Sequence, residues 1–242
     1  MDDIIGELAP TGILRAGINL GNILLVTDTA PNGDPVGVSP DMSAEIARRL
    51  GVGVSYITFP SPGAVADGGE KDAWDICLIA DEPKRAKSIL FTSAYVEIEG
   101  TYLVPGPSPF QSVEDVDSED TRIAVSDRAA YDLYLTRSLK NATLHRAEGL
   151  PGAFELYQSG GFDALAGLRP ALLENASLMG GSRVLKDCYT TIQQALGTKL
   201  ENTTGAVFLQ SFVEEVISNG FLAELLERHR VVGKLQIAKG PR

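Results

Sequence analysis

The chain has 242 residues, enough for one large domain or two lobes of ordinary size, and is 44% hydrophobic and 22% charged, the mix of a soluble globular protein. Its 21 basic and 32 acidic residues leave a formal charge of −11, which repels phosphate backbones; no dense Lys/Arg cluster offsets it, so nucleic acid is excluded as a partner. No apolar run reaches the ~20 residues that span a bilayer, which excludes direct membrane insertion.

The first turn of the chain carries Asp2, Asp3 and Glu7 where a secretion signal carries basic residues, and no apolar segment follows. Two readings of the compartment stay open: cytoplasmic, or periplasmic with a leader removed. Cys77 lies in an apolar strand and Cys188 beside Tyr189; both read as buried small hydrophobes, not as a disulfide or redox pair. His145 and His229 are the two histidines, and neither has a metal-ligand spacing. No metal site and no cofactor are expected.

In chain order, residues 13–19 form a short strand ending in polar Asn19. Ser39-Pro40-Asp41 opens a helix, with Ser39 as N-cap, Pro40 in the first turn and Asp41 complementing the dipole. Met42, Ile46 and Leu50 form its inner stripe and Gly51 ends it. Residues 54–59 are the next strand, and 76–80 follow a Gly/Pro-rich passage as another. Residues 100–105 are extended, then broken by Pro105, Pro107 and Pro109. A second series follows: a strand at 122–125, helices at 131–139 and 153–158, strands near 163–166 and 183–185, and an extended crossing at 190–196. Val207, Phe208, Phe212, Val213, Val216 and Ile217 share one face of a long amphipathic helix whose stripe is core packing, and 222–229 is a final helix. Strands alternating with helices imply mainly parallel sheets with ligands at the strands' carboxyl ends. The fold class expected is α/β, two lobes joined by two crossing strands around a cleft: lobe 1 from 1–104 with 195–242, and lobe 2 from 105–194.

The stretch 75–95 is the most informative. An apolar strand runs into a polar turn that presents Arg85 and continues through Phe91-Thr92-Ser93-Ala94-Tyr95. An arginine just past a buried strand suits a carboxylate, because its planar fork matches the anion with two parallel hydrogen bonds. The plainer alternative makes Lys84, Arg85 and Lys87 the solvated face of a helix start. Gln193 and Gln194 lie in the second crossing, facing a ligand or as exposed amides. Trp74, Tyr95 and Tyr131 are candidate stacking residues or core.

Three passages resemble the type II periplasmic solute-binding proteins, in particular the family that delivers amino acids to ABC importers: residues 12–19 leading to the helix at 37–51, residues 74–95, and Gly161-Phe162-Asp163-Ala164-Leu165-Ala166-Gly167. Their order and spacing extend the resemblance over residues 12–227. It implies a receptor without catalysis that closes about a hinge, a small carboxylate ligand, an ABC permease as partner, and a monomer. Position by position, it implies that Arg85 binds the ligand's carboxylate and that Asn19, Asn22, Ser61 and Asp81 fall at or near ligand-binding positions. It also implies that the turn from Ser126 through Asp127 and Arg128 to Ala129 and Ala130 holds the same carboxylate by backbone N–H groups at a helix N-terminus.

Three departures carry consequences. The turn before Arg85 is about two residues shorter than the family's by a gapped reading. Ser126–Ala130 lacks the usual Gly-Thr. Leu168, followed by Arg169, stands where an ammonium-binding aspartate is common. A buried ammonium without its partner costs about 3–5 kcal/mol, roughly two to three decades in affinity. Acids without a free α-amino group are therefore expected to bind best, and a dicarboxylate has Arg169 as a second partner; the alternative for Arg169 is a surface arginine before Pro170. Asn19, Asp81 or Asp127 remain alternative partners for an ammonium. A dehydratase on the same scaffold is the competing class, with Asp81, Glu82 and Asp127 as candidate acids. A regulator's effector domain lacks a helix-turn-helix here.

Overall fold

The computed structural model describes residues 1–239. The elements in chain order begin with α1 (Asp2–Leu8), β1 (Ile13–Asn19), β2 (Asp28–Thr29), β3 (Pro35–Val36), α2 (Val38–Leu50), β4 (Gly53–Phe59), α3 (Pro62–Glu70) and β5 (Ile76–Ala80). They continue with β6 (Ile89–Pro105), β7 (Arg122–Ser126), α4 (Ala130–Ser138), β8 (Thr143–Ala147), α5 (Gly149–Gln158), β9 (Ala164–Leu168), α6 (Arg169–Met179), β10 (Ser182–Val184) and β11 (Thr190–Lys199). The last are α7 (Thr203–Ser218), α8 (Phe221–Arg228) and β12 (Gln236–Ile237). The chain divides into two units, Met1–Glu97 with Gln193–Arg242, and Ile98–Ile192. The chain passes between them on β6 and on β11.

In unit 1, β1 pairs in parallel with β4 and with β5, and β11 joins β5 antiparallel. Every residue of β5 is buried, as a parallel strand covered on both faces requires. Its core gathers Val65, Trp74, Cys77, Ile79 and Ile89, with the indole N–H of Trp74 donating to the Val65 carbonyl at 2.8 Å. In unit 2, β7 lies between β8 and β9, parallel to both, and β6 pairs antiparallel with β9 and β10. Its core holds Leu103, Ala124, Ala153, Tyr157, Leu165 and Leu172.

Several expectations shift. Helix α2 begins at Val38, with Gly37 as N-cap, because the Ser39 hydroxyl lies 3.3 Å from Tyr95 Oη inside the core instead of capping. A side chain at Gly37 would meet the Leu25 carbonyl oxygen at 2.3 Å, so only glycine fits there. The inner stripe Met42, Ile46 and Leu50 is buried as expected. Helices α1, α3 and α6 and strand β8 were not anticipated. Helix α3 hides in Gly-rich sequence but has Ser61 as N-cap and Pro62 in its first turn, and α6 uses Pro170 to start a helix rather than to stop one. On α7 the buried residues include Leu209, Phe212, Val213 and Val216, whereas Val207 is 69% exposed. Trp74 and Tyr95 are fully buried core, and Tyr131 is 3% exposed. Cys77 is buried, but Cys188 is exposed, lying in the connection between β10 and β11, outside the sheet.

Candidate functional site

Because β1, β4 and β5 run parallel, their carboxyl ends share one edge of unit 1. That edge carries Asn19, Ser61 just past β4, and Asp81 just past β5. The Asn19 side-chain oxygen accepts the Gly21 N–H at 3.0 Å, and that of Asn22 accepts the Leu24 N–H at 3.2 Å. Both therefore shape the loop after β1, and neither side-chain NH2 has a hydrogen-bond partner among the described residues. Ser61 caps α3 by accepting the Ala64 N–H at 3.2 Å.

The turn after β5 folds back on itself. The Glu82 carbonyl accepts the N–H groups of Arg85 (2.8 Å) and Ala86 (2.9 Å), while its carboxylate accepts the Lys84 N–H at 2.9 Å. This winding places Arg85 in a single 3₁₀ turn, 4% exposed, with Nη1 donating to the Ala80 carbonyl at 2.9 Å. The solvated-face alternative for Arg85 is thereby corrected, since a turn tight enough to bond Ala80 carries the side chain inward. Glu82 is 3% exposed. Asp81 is exposed, and its N–H donates to the Gln193 carbonyl at 2.9 Å, which places Gln193 at the same edge. Partial desolvation of the Asp81 carboxyl, and then the charge of Glu82, raise its pKa above the ordinary value, with Arg85 pulling it back.

In unit 2 the parallel strands β7 and β9 end at Ser126 and Leu168. The turn after Ser126 is held by the Asp127 N–H to the Ala147 carbonyl (2.9 Å) and the Ala129 N–H to the Ser126 carbonyl (3.3 Å). Arg128 has φ 55°, and its N–H donates to Asp132 at 2.8 Å. Helix α4 has no side-chain cap at Ala129. The N–H of Ala130, its first residue, has no acceptor among the described residues, so this helix start presents a spare amide and the positive end of its dipole.

The acids of this edge are engaged. Arg146 bonds buried Asp132 at 3.0 Å and approaches Asp127 to 3.9 Å. Arg169 pairs with Glu99, and its Nη atoms donate to the carbonyls of Leu185 (2.7 Å), Lys186 (2.9 Å) and Asp187 (2.8 Å). With four acceptors on its fork, Arg169 braces its own unit; it is neither a spare anion partner nor a simple surface residue. Leu168 is buried at 6% exposure. The hydroxyls of Tyr131 and Tyr189 are buried, with the Ser126 hydroxyl beside the first and the Gly167 backbone beside the second.

Two α/β units linked by two crossing strands are the plan of a two-lobed binding protein. The chain belongs to the bacterial extracellular solute-binding proteins, family 3, whose pattern matches residues 25–231. Among solved structures, a mutant of ArgBP from T. maritima is similar at 20% identity and TM-score 0.76, over 94% of this chain and 99% of that one. A substrate-binding protein of an amino acid ABC transporter from Streptococcus pneumoniae, bound to L-arginine, matches at 18% identity and TM-score 0.76, over 97% and 99%. The ancestral amino acid-binding protein AncCDT-1, described as a precursor of cyclohexadienyl dehydratase, matches at 21% and 0.75, over 93% and 98%. At these identities the likeness establishes the fold alone. No curated protein sequence matches the chain. Among the described residues no helix is long and apolar enough to cross a membrane.

Proposed function

We propose that this protein is a monomeric periplasmic receptor that captures a small carboxylate-bearing solute by hinged closure and hands it to an ABC permease. The observation that carries the reading is Arg85: a guanidinium 4% exposed, fixed on the Ala80 carbonyl at the carboxyl end of a fully buried parallel strand. A cation held there meets an anion without reorganising. The spare amide of Ala130, at the uncapped start of α4, is a second, uncharged anion-directed group. The structures of similar fold bound to arginine or lysine support an amino-acid-like ligand.

Leu168 directs the choice within that class. It is apolar and buried, buried Asp132 is bonded by Arg146, and half-exposed Asp127 lies 3.9 Å from the same guanidinium, so among the described residues this edge of unit 2 holds no buried, unpaired carboxylate for an ammonium. Acids without a free α-amino group (2-oxo, 2-hydroxy or N-blocked) bind better than the corresponding amino acids. Calorimetric titration with amino acids and their 2-oxo analogues tests this. The reading expects the 2-oxo acids to bind more tightly, and tight binding of an unmodified amino acid overturns the preference.

One observation favours a second reading, a dehydratase acting on cyclohexadienyl acids. The raised pKa of Asp81 beside Arg85 is what a general acid needs. Incubation with prephenate or arogenate discriminates: a new chromophore that disappears in Asp81→Asn supports the enzyme, and thermal stabilisation without turnover supports the receptor.

A further inference from the structure

Past Ala80, the last buried residue of β5, the chain turns through Asp81-Glu82-Pro83-Lys84-Arg85. Three backbone amides of that turn end on one residue. The Glu82 carboxylate accepts the Lys84 N–H at 2.9 Å, and the Glu82 carbonyl accepts those of Arg85 at 2.8 Å and Ala86 at 2.9 Å. Pro83 brings no N–H of its own and disfavours helical backbone at Glu82, so the sequence itself favours a bend there. Further on, the Arg85 carbonyl accepts the Ser88 N–H at 3.0 Å, and Arg85 Nη1 donates back to the Ala80 carbonyl at 2.9 Å. Lys84 and Lys87 are exposed, whereas Arg85 is 4% exposed. The residue whose backbone is held at both ends is the one turned inward.

We propose that Glu82 is a positioning residue for the anion site, holding the Arg85 guanidinium in a fixed direction by anchoring the turn that carries it. Glu82 is 3% exposed, and glutamate is among the residues least often buried to that degree. Its charge also has the wrong sign for a carboxylate ligand, and it is felt at neighbouring Asp81, where it adds to the rise in pKa that desolvation begins. A carboxylate that is costly to bury and adverse to the ligand is accounted for by the geometry it enforces. A guanidinium already aimed loses little side-chain freedom when the anion arrives. All of these contacts lie within unit 1. The inference rests on the carboxylate-receptor reading and deepens it, adding to the residue that meets the ligand one that acts through it.

The test is calorimetry with 5-hydroxypentanoate and its amide, 5-hydroxypentanamide, read as the preference for acid over amide. Glu82→Ala removes the acceptor for the Lys84 N–H and should lower acid affinity about tenfold. Amide affinity should stay as it was, so the preference shrinks by the same factor. Glu82→Gln keeps an oxygen for that N–H and sheds the adverse charge; it should restore acid affinity to the wild-type level or above. Pro83→Ala releases Glu82 from its pre-proline restriction and should cost a smaller factor, about two- to fivefold, toward the acid alone; it carries the test if Glu82→Ala does not fold. A loss in Glu82→Gln as large as in Glu82→Ala overturns positioning and assigns the effect to charge. An equal loss toward acid and amide also overturns it and assigns the effect to general destabilisation. A wild-type preference that collapses in Arg85→Ala but stays whole in Glu82→Ala and Pro83→Ala overturns the positioning role alone. If the wild type does not separate acid from amide, or Arg85→Ala leaves the preference intact, the carboxylate reading itself fails and the positioning role falls with it.

Discussion

On the proposed reading, the carboxyl edges of the two units approach an anion differently. Unit 1 uses formal charge: Arg85 is buried by a turn that its own neighbour Glu82 organises, with Asp81 alongside. Unit 2 uses a dipole: an uncapped helix start after Ser126, with Asp132 paired to Arg146 and Glu99 to Arg169. A fixed charge supplies strength, whereas amides and hydroxyls supply direction at little desolvation cost. The contrast implies that changes in unit 1 alter how tightly an acid is held, while changes in unit 2 alter which acid is chosen.

The largest effect should come from the core that supports the charged edge. Trp74 is fully buried among Val65, Cys77 and Ile79, and Trp74→Ala should cost about 3–5 kcal/mol of stability by denaturant titration. Hydrogen exchange should then quicken first in β1 and β5; equal quickening in β7 and β9 would show that the two units do not behave separately. A smaller effect tests the amides of unit 2. Ala130 is the first residue of α4, and Ala129 before it has φ −64° and ψ 154°, so proline fits at 130 and removes only an N–H without an acceptor. Ala130→Pro should weaken acid binding by about 1.5–3 kcal/mol with the melting temperature unchanged; full affinity would remove this amide from the site.

The smallest effect concerns surface charge in unit 1. The hydrogen bond from Arg48 is the main cause holding the Glu45 carboxyl down at about 2, with desolvation opposing and Arg49 adding to the lowering. A carboxyl depressed in the folded state stabilises fully above its unfolded pKa of about 4.3. That contribution fades as the pH falls toward about 2. Glu45→Gln should therefore cost at most about 1 kcal/mol near pH 7. The difference should shrink below about pH 4 and in high salt; a difference independent of pH would assign the effect to packing.

What the sequence displayed was local and periodic. Strands β1 and β5 were legible because their apolar runs are bounded by polar turns, and α2 because Met42, Ile46 and Leu50 repeat at helical spacing and Gly51 follows. Helix α6 was not, since Pro170 reads as a break unless Leu168 is known to be extended before it. At the site, the place of Arg85 past a buried strand was visible, but its burial depends on the hydrogen bonds of Glu82. The capture of Arg169 by Glu99, 70 residues away, exists only in three dimensions.

The most direct test compares an acid with its own uncharged counterpart. Wild type and Arg85→Ala should be titrated calorimetrically with 5-hydroxypentanoate and with 5-hydroxypentanamide. The account predicts that the wild type binds the acid far more tightly than the amide, and that Arg85→Ala loses about 2–5 kcal/mol toward the acid and no longer separates the two. Equal affinity of the wild type for both, or an unchanged affinity of Arg85→Ala for the acid, would contradict it.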